Sequence, residues 1–173
     1  RGDDLLLLSG DLSGASSAES YIILNQLLQD YGKKAVWLPG NHDNVELMKK
    51  HLVDYPLCPV WEMGDWGILT LDSSQAGTPV GHIRDEELRL VDDRLGQLKG
   101  KSILVSMHHC PIALGCQWLD EQKINNPSGL YDLLASYSNV KLVVTGHVHQ
   151  QHDGLWNNLP LFTTPSSCIQ FKK

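Results

Sequence analysis

The sequence predicts an α/β layered fold, built as one domain over its 173 residues. Two observations point there. Short apolar runs of strand length alternate with longer segments whose apolar residues recur at helical spacing, the pattern of strands covered by helices. The runs also end in glycine or polar turn residues, where a strand would reverse. In folds of this class ligands gather at the carboxyl ends of the strands.

The elements follow in order. Leu5-Leu6-Leu7-Leu8 reads as a buried strand ended by Ser9-Gly10-Asp11. Residues 16–31 read as a helix with Tyr21, Leu24, Leu27, Leu28 and Tyr31 on one face. Ser16 and Glu19 form a capping-box start, and Gly32 stops it. Residues 35–38 are the next strand, ended by Pro39-Gly40, and residues 45–52 a short helix. Residues 67–71 form a strand. Residues 85–98 are the clearest helix, with Leu88, Val91, Leu95 and Leu98 on one face and Gly100 behind it. A strand over 103–107 follows. A helix over 130–137 turns Leu130, Leu133, Leu134 and Tyr137 inward. Residues 140–145 are a strand, and residues 156–164 hold one or two more. Residues 110–128 are the longest stretch without periodicity, and a loop of that length is often functional.

Composition narrows the function. Apolar residues make up 42% and charged residues 20%, ordinary for a soluble globular domain. No apolar run approaches the ~18–20 residues a membrane helix needs. The formal charge of −6 is a poor match for nucleic acid polymers or an anionic membrane, so neither is an expected partner. Cys58, Cys110, Cys116 and Cys168 form no CxxC pair and no disulfide framework, so a reduced cytoplasmic compartment is expected.

Four predicted strands end in residues suited to metal binding: Gly10-Asp11, Gly40-Asn41-His42-Asp43, His108-His109 and Gly146-His147-Val148-His149. Alone, the first three read as an ordinary turn, cap or buried histidine, while Gly146-His147-Val148-His149 is evenly balanced between that and a metal site. Their recurrence at four strand ends raises the metal reading above that bland one. Asp11 offers two oxygens and can bridge two ions. Asn41 offers an amide oxygen. His108, His147 and His149 offer imidazole nitrogens. Such a mixed set suits Mn, Fe, Co, Ni or Zn better than Ca. Two ions ~3.5–4 Å apart can clamp a phosphoryl group and generate a hydroxide. His42, beside Asn41, is placed to act as a general acid on a leaving oxygen. Glycines 10, 40 and 146 allow sharp turns that aim the next side chain. Asp43 either orients His42 or caps the following helix, and the cap is preferred.

These residues, in this order, resemble the calcineurin-like metallophosphoesterases, whose motifs are D-x-H, G-D, G-N-H-[DE], H and G-H-x-H. The last four match residues 10–149. Further segments are similar to the bacterial class III 3′,5′-cyclic AMP phosphodiesterases: residues 37–43, Leu71-Asp72-Ser73, residues 115–120, His149-Gln150 and residues 164–171. The resemblance implies a β-sandwich of two sheets flanked by helices, and two divalent ions, Mn2+ or Fe2+ first and Zn2+ next. It implies that Asp11 bridges the ions, that Asn41, His108 and His147 complete the second site, and that His149 serves the first. It implies hydrolysis of 3′,5′-cyclic AMP to 5′-AMP by a bridging hydroxide, with Asn41 and His42 contacting substrate and His42 protonating the leaving 3′-oxygen.

The D-x-H motif has no match, and the chain opens at Arg1 already near an apolar run. The expectation is a domain cut short before its first strand and again after Lys173. Only Asp11 and His149 then remain of the first metal site. Rival readings are a phosphomonoesterase, a nucleotide-sugar hydrolase or a nuclease of the same chemistry, or an inactive metal-binding fragment. A homodimer is compatible with the sequence, though no residue argues for one. His109 and Cys110 receive no catalytic role; Cys110 beside the metals reads either as an oxidation-sensitive thiol or as an inert small side chain, and the inert reading is preferred. Trp61, Trp66, Trp118 and Trp156 are candidates to stack on a purine, with core packing the default for most.

Overall fold

The computed structural model describes residues 4–171. The strands fall into two sheets. In the smaller, β1 (Leu5–Leu8) lies parallel to β2 (Lys34–Trp37). The larger holds β3 (Val60–Met63), β4 (Trp66–Thr70), β5 (Ser102–Met107), β6 (Val140–Thr145), β7 (His152–Trp156) and β8 (Leu159–Thr163). Its order is β3-β4-β5-β6-β8-β7, with β4, β5, β6 and β8 parallel and the two edge strands antiparallel. The helices are α1 (Ala18–Tyr31), α2 (Val45–His51), α3 (Asp85–Gln97), α4 (Gln117–Asp120) and α5 (Pro127–Ala135). The mixed sheet with flanking helices is the α/β architecture expected.

Each sheet has its own core. In the large one, Ile103, Val105 and Val143 are buried against Val91, Leu95 and Leu98 of the α3 segment and Leu130 and Leu134 of α5. Parallel strands covered in this way are apolar nearly throughout, which is why β5 and β6 read as short continuous runs. A fully buried leucine such as Leu95 contributes about 1.5–3 kcal/mol by removal from water. Beside the small sheet, Tyr21 of α1 and Met48 of α2 pack with Trp37 and Leu52.

Some boundaries differ from expectation. The α1 N-cap is Ser17, whose side chain accepts from Ser20 N–H, and not Ser16. Ser16 has φ 51° and its hydroxyl donates to the His42 carbonyl, so it is used in a loop–loop bond instead. Gly32 caps the other end at φ 68°, as expected. Tyr21 and Leu28 are buried, but Leu27 and Tyr31 are exposed, because α1 meets its neighbours along a narrower strip than its apolar residues span. Three elements went unread. β7 precedes the 156–164 span except for Trp156, and that span otherwise holds only β8. β3 is four residues long and forms a hairpin with β4 across Gly64-Asp65, with Gly64 at φ 57°. α4 is one turn inside the aperiodic 110–128 stretch.

The parallel strands place all the polar strand ends together. Leu38 N–H bonds the Leu8 carbonyl, Gly146 N–H bonds the His108 carbonyl, and the Ser9 carbonyl accepts from His108 Nδ1. The ends of β1, β2, β5 and β6 thus meet where the two sheets adjoin.

Candidate metal centre

Backbone fit at this junction is close. Gly10 turns at φ 93°, and a Cβ there would lie 2.5 Å from His108 Nδ1. A Cβ on Gly40 would overlap Asp11 Oδ1 and its backbone nitrogen, and one on Gly146 would lie 2.7 Å from the Ser9 carbonyl. Only Gly10 of the three has a positive φ; Gly40 and Gly146 are required by close approach, not by a sharp turn. Asp11, His147 and His149 adopt φ of 55°, 64° and 51°. Left-handed backbone at three non-glycine residues stores strain of the kind found at functional sites.

Asp11 is the hub. Its Oδ1 accepts the His42 backbone N–H at 2.9 Å, and its Oδ2 lies 3.2 Å from His108 Nε2. Burial favours the protonated acid. The His108 ring and the His42 N–H outweigh it and hold this carboxyl well below the usual range. His108 donates Nδ1–H to the Ser9 carbonyl at 2.7 Å, which turns its Nε2 inward. This is the arrangement in which metal-binding histidines are usually oriented. His147 Nδ1 lies 3.2 Å from that same Nε2. Burial first, then the neighbouring His108, pulls the His147 pKa down to about 3, with His149 and His42 close enough to add to the effect.

Two buried acceptors, Asn41 Oδ1 and His147 Nε2, have no hydrogen-bond partner among the described residues. An unpaired buried polar atom costs about 1–3 kcal/mol. Orphaned buried acceptors beside an ionised carboxylate are what a divalent cation resolves, so Asp11, Asn41, His108 and His147 fit one. His149 donates Nδ1–H to the Ile169 carbonyl at 2.6 Å, which leaves its Nε2 available beside this group.

His42 is exposed at the rim, tied by its backbone to Asp11 and Ser16. Asp43 neither caps α2 nor orients the His42 ring. The α2 cap is Asn44, which accepts from Leu47 N–H. Asp43 instead accepts from Leu12 N–H and Ser13 N–H at 3.1 Å, Gly40 N–H at 3.0 Å and the Tyr21 hydroxyl at 2.9 Å. It staples the loop after β1 to the loop after β2. Burial pushes its carboxyl up, against the pull of those N–H donors. Burial likewise pushes the Tyr21 phenol up to about 12.

His109 belongs to a histidine trio with His108 and His147 whose ligand atoms all lie within 4.8 Å of one another. Yet both its ring nitrogens are engaged: Nδ1 accepts from Ser73 Oγ at 2.8 Å and Nε2 donates to the Pro79 carbonyl at 3.2 Å. It ties residues 73–79 beneath the site and has no lone pair left for a metal. Burial holds its pKa near 2. Cys110 is 1% exposed, and burial pushes its thiol up to about 11, so it lacks thiolate character. Sequence reasoning missed the Asp43 staple and the stacking of Phe171 on His149, at 4.3 Å and 9° between planes. The only signal for the second was the resemblance of residues 164–171.

The family model described as calcineurin-like phosphoesterase matches residues 1–151. The 3′,5′-cyclic adenosine monophosphate phosphodiesterase CpdA of Escherichia coli is 36% identical over 172 residues, covering 98% of this chain and 62% of that protein. The CpdA of Pseudomonas aeruginosa is 34% identical over 169 residues, covering 97% and 62%. The chain therefore spans about 62% of the length of these relatives. A dimetal phosphatase from Danio rerio shares the fold at TM-score 0.71 and 12% identity, over 93% of this chain and 72% of that one.

Proposed function

The chain belongs to the calcineurin-like phosphoesterase family, and from that premise we propose that it hydrolyses a cyclic phosphodiester, 3′,5′-cyclic AMP, to 5′-AMP in a divalent-metal-dependent reaction. The observation that carries the reading is the set of buried acceptors at the strand ends, Asn41 Oδ1 and His147 Nε2 without partners and Asp11 opposite His108. The substrate is supported by the names of the relatives, two of them CpdA enzymes at 34–36% identity.

In this reading Asp11, Asn41, His108 and His147 hold one cation, and Asp11 with His149 contributes to a second. Mn2+ and Fe2+ are the proposed occupants, with Zn2+ next. A bound ion supplies Lewis acidity toward the phosphoryl oxygens and a water ionisable near neutral pH. The chain's residues do the rest. Asp11 stays ionised because His108 and the His42 N–H stabilise its charge. Asn41 and His42 meet the phosphoryl group, and His42, exposed at the rim, gives a proton to the departing 3′-oxygen. Water is the second substrate, and the bond broken joins phosphorus to that oxygen. The cytoplasm is the proposed compartment, in keeping with four free thiols.

The test offers the manganese-loaded protein 3′,5′-cyclic AMP and an aryl phosphate monoester together, with products identified by chromatography. 5′-AMP as the dominant product is expected. Cleavage of the monoester alone would move the activity to a phosphomonoesterase. Metal bound with neither substrate consumed would mark a metal-binding chain without turnover.

A further inference from the structure

Two segments named by the sequence supply no metal ligand: residues 115–120, around Trp118, and residues 164–171, which end at Phe171. The fold brings them together against a metal-site histidine. Phe171 stacks on His149 with ring centroids 4.3 Å apart. Trp118 meets Phe171 edge to face at 4.9 Å. The result is a continuous aromatic run of three rings that starts at His149, a candidate metal ligand.

A lone exposed tryptophan needs no explanation. This one differs in being held still. It lies on the single turn of α4, where Leu119 is buried and the Asp120 carboxylate accepts from Leu114 N–H at 2.7 Å and Gly115 N–H at 3.0 Å. The backbone under Trp118 is thereby fixed, while 48% of the residue remains in solvent. The other four tryptophans are placed differently. Trp37 and Trp156 are buried in the cores, Trp66 begins β4 at the end opposite the site, and Trp61 pairs with Ile68 in the β3–β4 hairpin.

We propose that Trp118, backed by Phe171, is the platform on which the base of the nucleotide stacks, so that specificity for a nucleoside cyclic phosphate resides in α4 and the 164–171 segment and the hydrolytic groups lie at the strand ends. The proposal rests on the cyclic-nucleotide reading above. A cyclic nucleotide holds its base one sugar away from phosphorus, and two ring-to-ring steps separate His149 from Trp118. The indole offers a flat apolar face that stacks on any purine, and base–aromatic stacking is tolerant of sequence but demanding of a ring.

The test uses the metal-loaded protein with Trp118→Ala and Trp118→Phe. For 3′,5′-cyclic AMP, Trp118→Ala should raise KM by about 5- to 100-fold with kcat within about twofold, and Trp118→Phe should recover most of the loss. Calorimetric titration gives a readout that does not depend on turnover. Affinity for 5′-AMP should fall in Trp118→Ala, while affinity for ribose 5-phosphate, which has no base, should stay unchanged. Normal turnover of 3′,5′-cyclic AMP with an unchanged KM in Trp118→Ala would overturn the platform and leave the phosphodiesterase reading intact. Equal losses for 5′-AMP and ribose 5-phosphate would also overturn it, since Trp118 would then act by supporting His149. A wild-type protein that does not consume 3′,5′-cyclic AMP at all would overturn both readings.

Discussion

Replacing Asp43 by alanine should unfold the loop junction that carries the metal ligands. The carboxylate accepts four hydrogen bonds, from Leu12, Ser13, Gly40 and the Tyr21 hydroxyl, at 2.9–3.1 Å. Hydrogen bonds to a charged acceptor contribute about 1.5–3 kcal/mol each, but contributions from one side chain do not add. Burial, which pushes the Asp43 carboxyl up, offsets part of the gain. Three backbone N–H groups left without an acceptor still place the loss at about 3–4 kcal/mol, at the high end for a single substitution. The assay is urea unfolding at pH 7 in the absence of metal, followed by circular dichroism. Asp54→Ala is the control: that exposed carboxylate accepts from Asn25 and Gln29 side chains at 2.7 Å, and its loss should stay under about 1 kcal/mol. Asp43→Asn keeps the shape and part of the accepting capacity, so it should fall between. Because Asn41 and His42 ride on the stapled loop, manganese affinity should drop at least tenfold in Asp43→Ala. A loss below about 1 kcal/mol for Asp43→Ala would refute the staple.

Three further outcomes follow from the site. His42→Ala should lose turnover while retaining metal, since only its backbone N–H, which alanine keeps, touches Asp11; full turnover in the variant would remove His42 from the chemistry. The metal-free protein should lose stability as pH falls below 6.5. His109 and His147 have folded pKa values lowered to about 2 and about 3, so between those values and 6.5 the unfolded chain takes up protons that the folded chain refuses. The slope should approach about 1.4 kcal/mol per pH unit for each histidine, and urea midpoints that stay flat from pH 7 to pH 5 would contradict it. Gly40→Ala should abolish tight metal binding, because its Cβ would displace the Asp11 carboxylate; unchanged affinity on metal titration would show that the loop yields.

The long elements were legible because their burial is one-sided and regular. Val91, Leu95 and Leu98 are all buried where helical spacing put them. The polar strand ends were legible because parallel strands carry their ends to one side, and four such ends in one chain are hard to assemble otherwise. Short elements were not: four residues of β3 and the single turn of α4 are below the length at which periodicity can be read. The α1 face was overdrawn because spacing gives which residues share a face and not how wide the covering surface is. Leu27 and Tyr31 share the spacing of Tyr21 and lie in solvent. Asp43 was misassigned for a related reason. A residue just before a helix is an ordinary cap by local rules, whereas its actual donors come from Leu12, Ser13 and Tyr21, about thirty and twenty residues away. His109 shows the converse. Its neighbour His108 turns Nε2 to the site while His109 itself is consumed by Ser73 and Pro79, a difference that two adjacent identical letters do not reveal.

Manganese titration by calorimetry at pH 7, on the wild-type protein and on Asn41→Ala and His147→Ala, tests the metal centre most directly. Each variant removes a buried acceptor that has no partner among the described residues. Saturable binding that weakens at least tenfold in both variants is the predicted result, and equal affinity in all three proteins would contradict a metal centre at these strand ends.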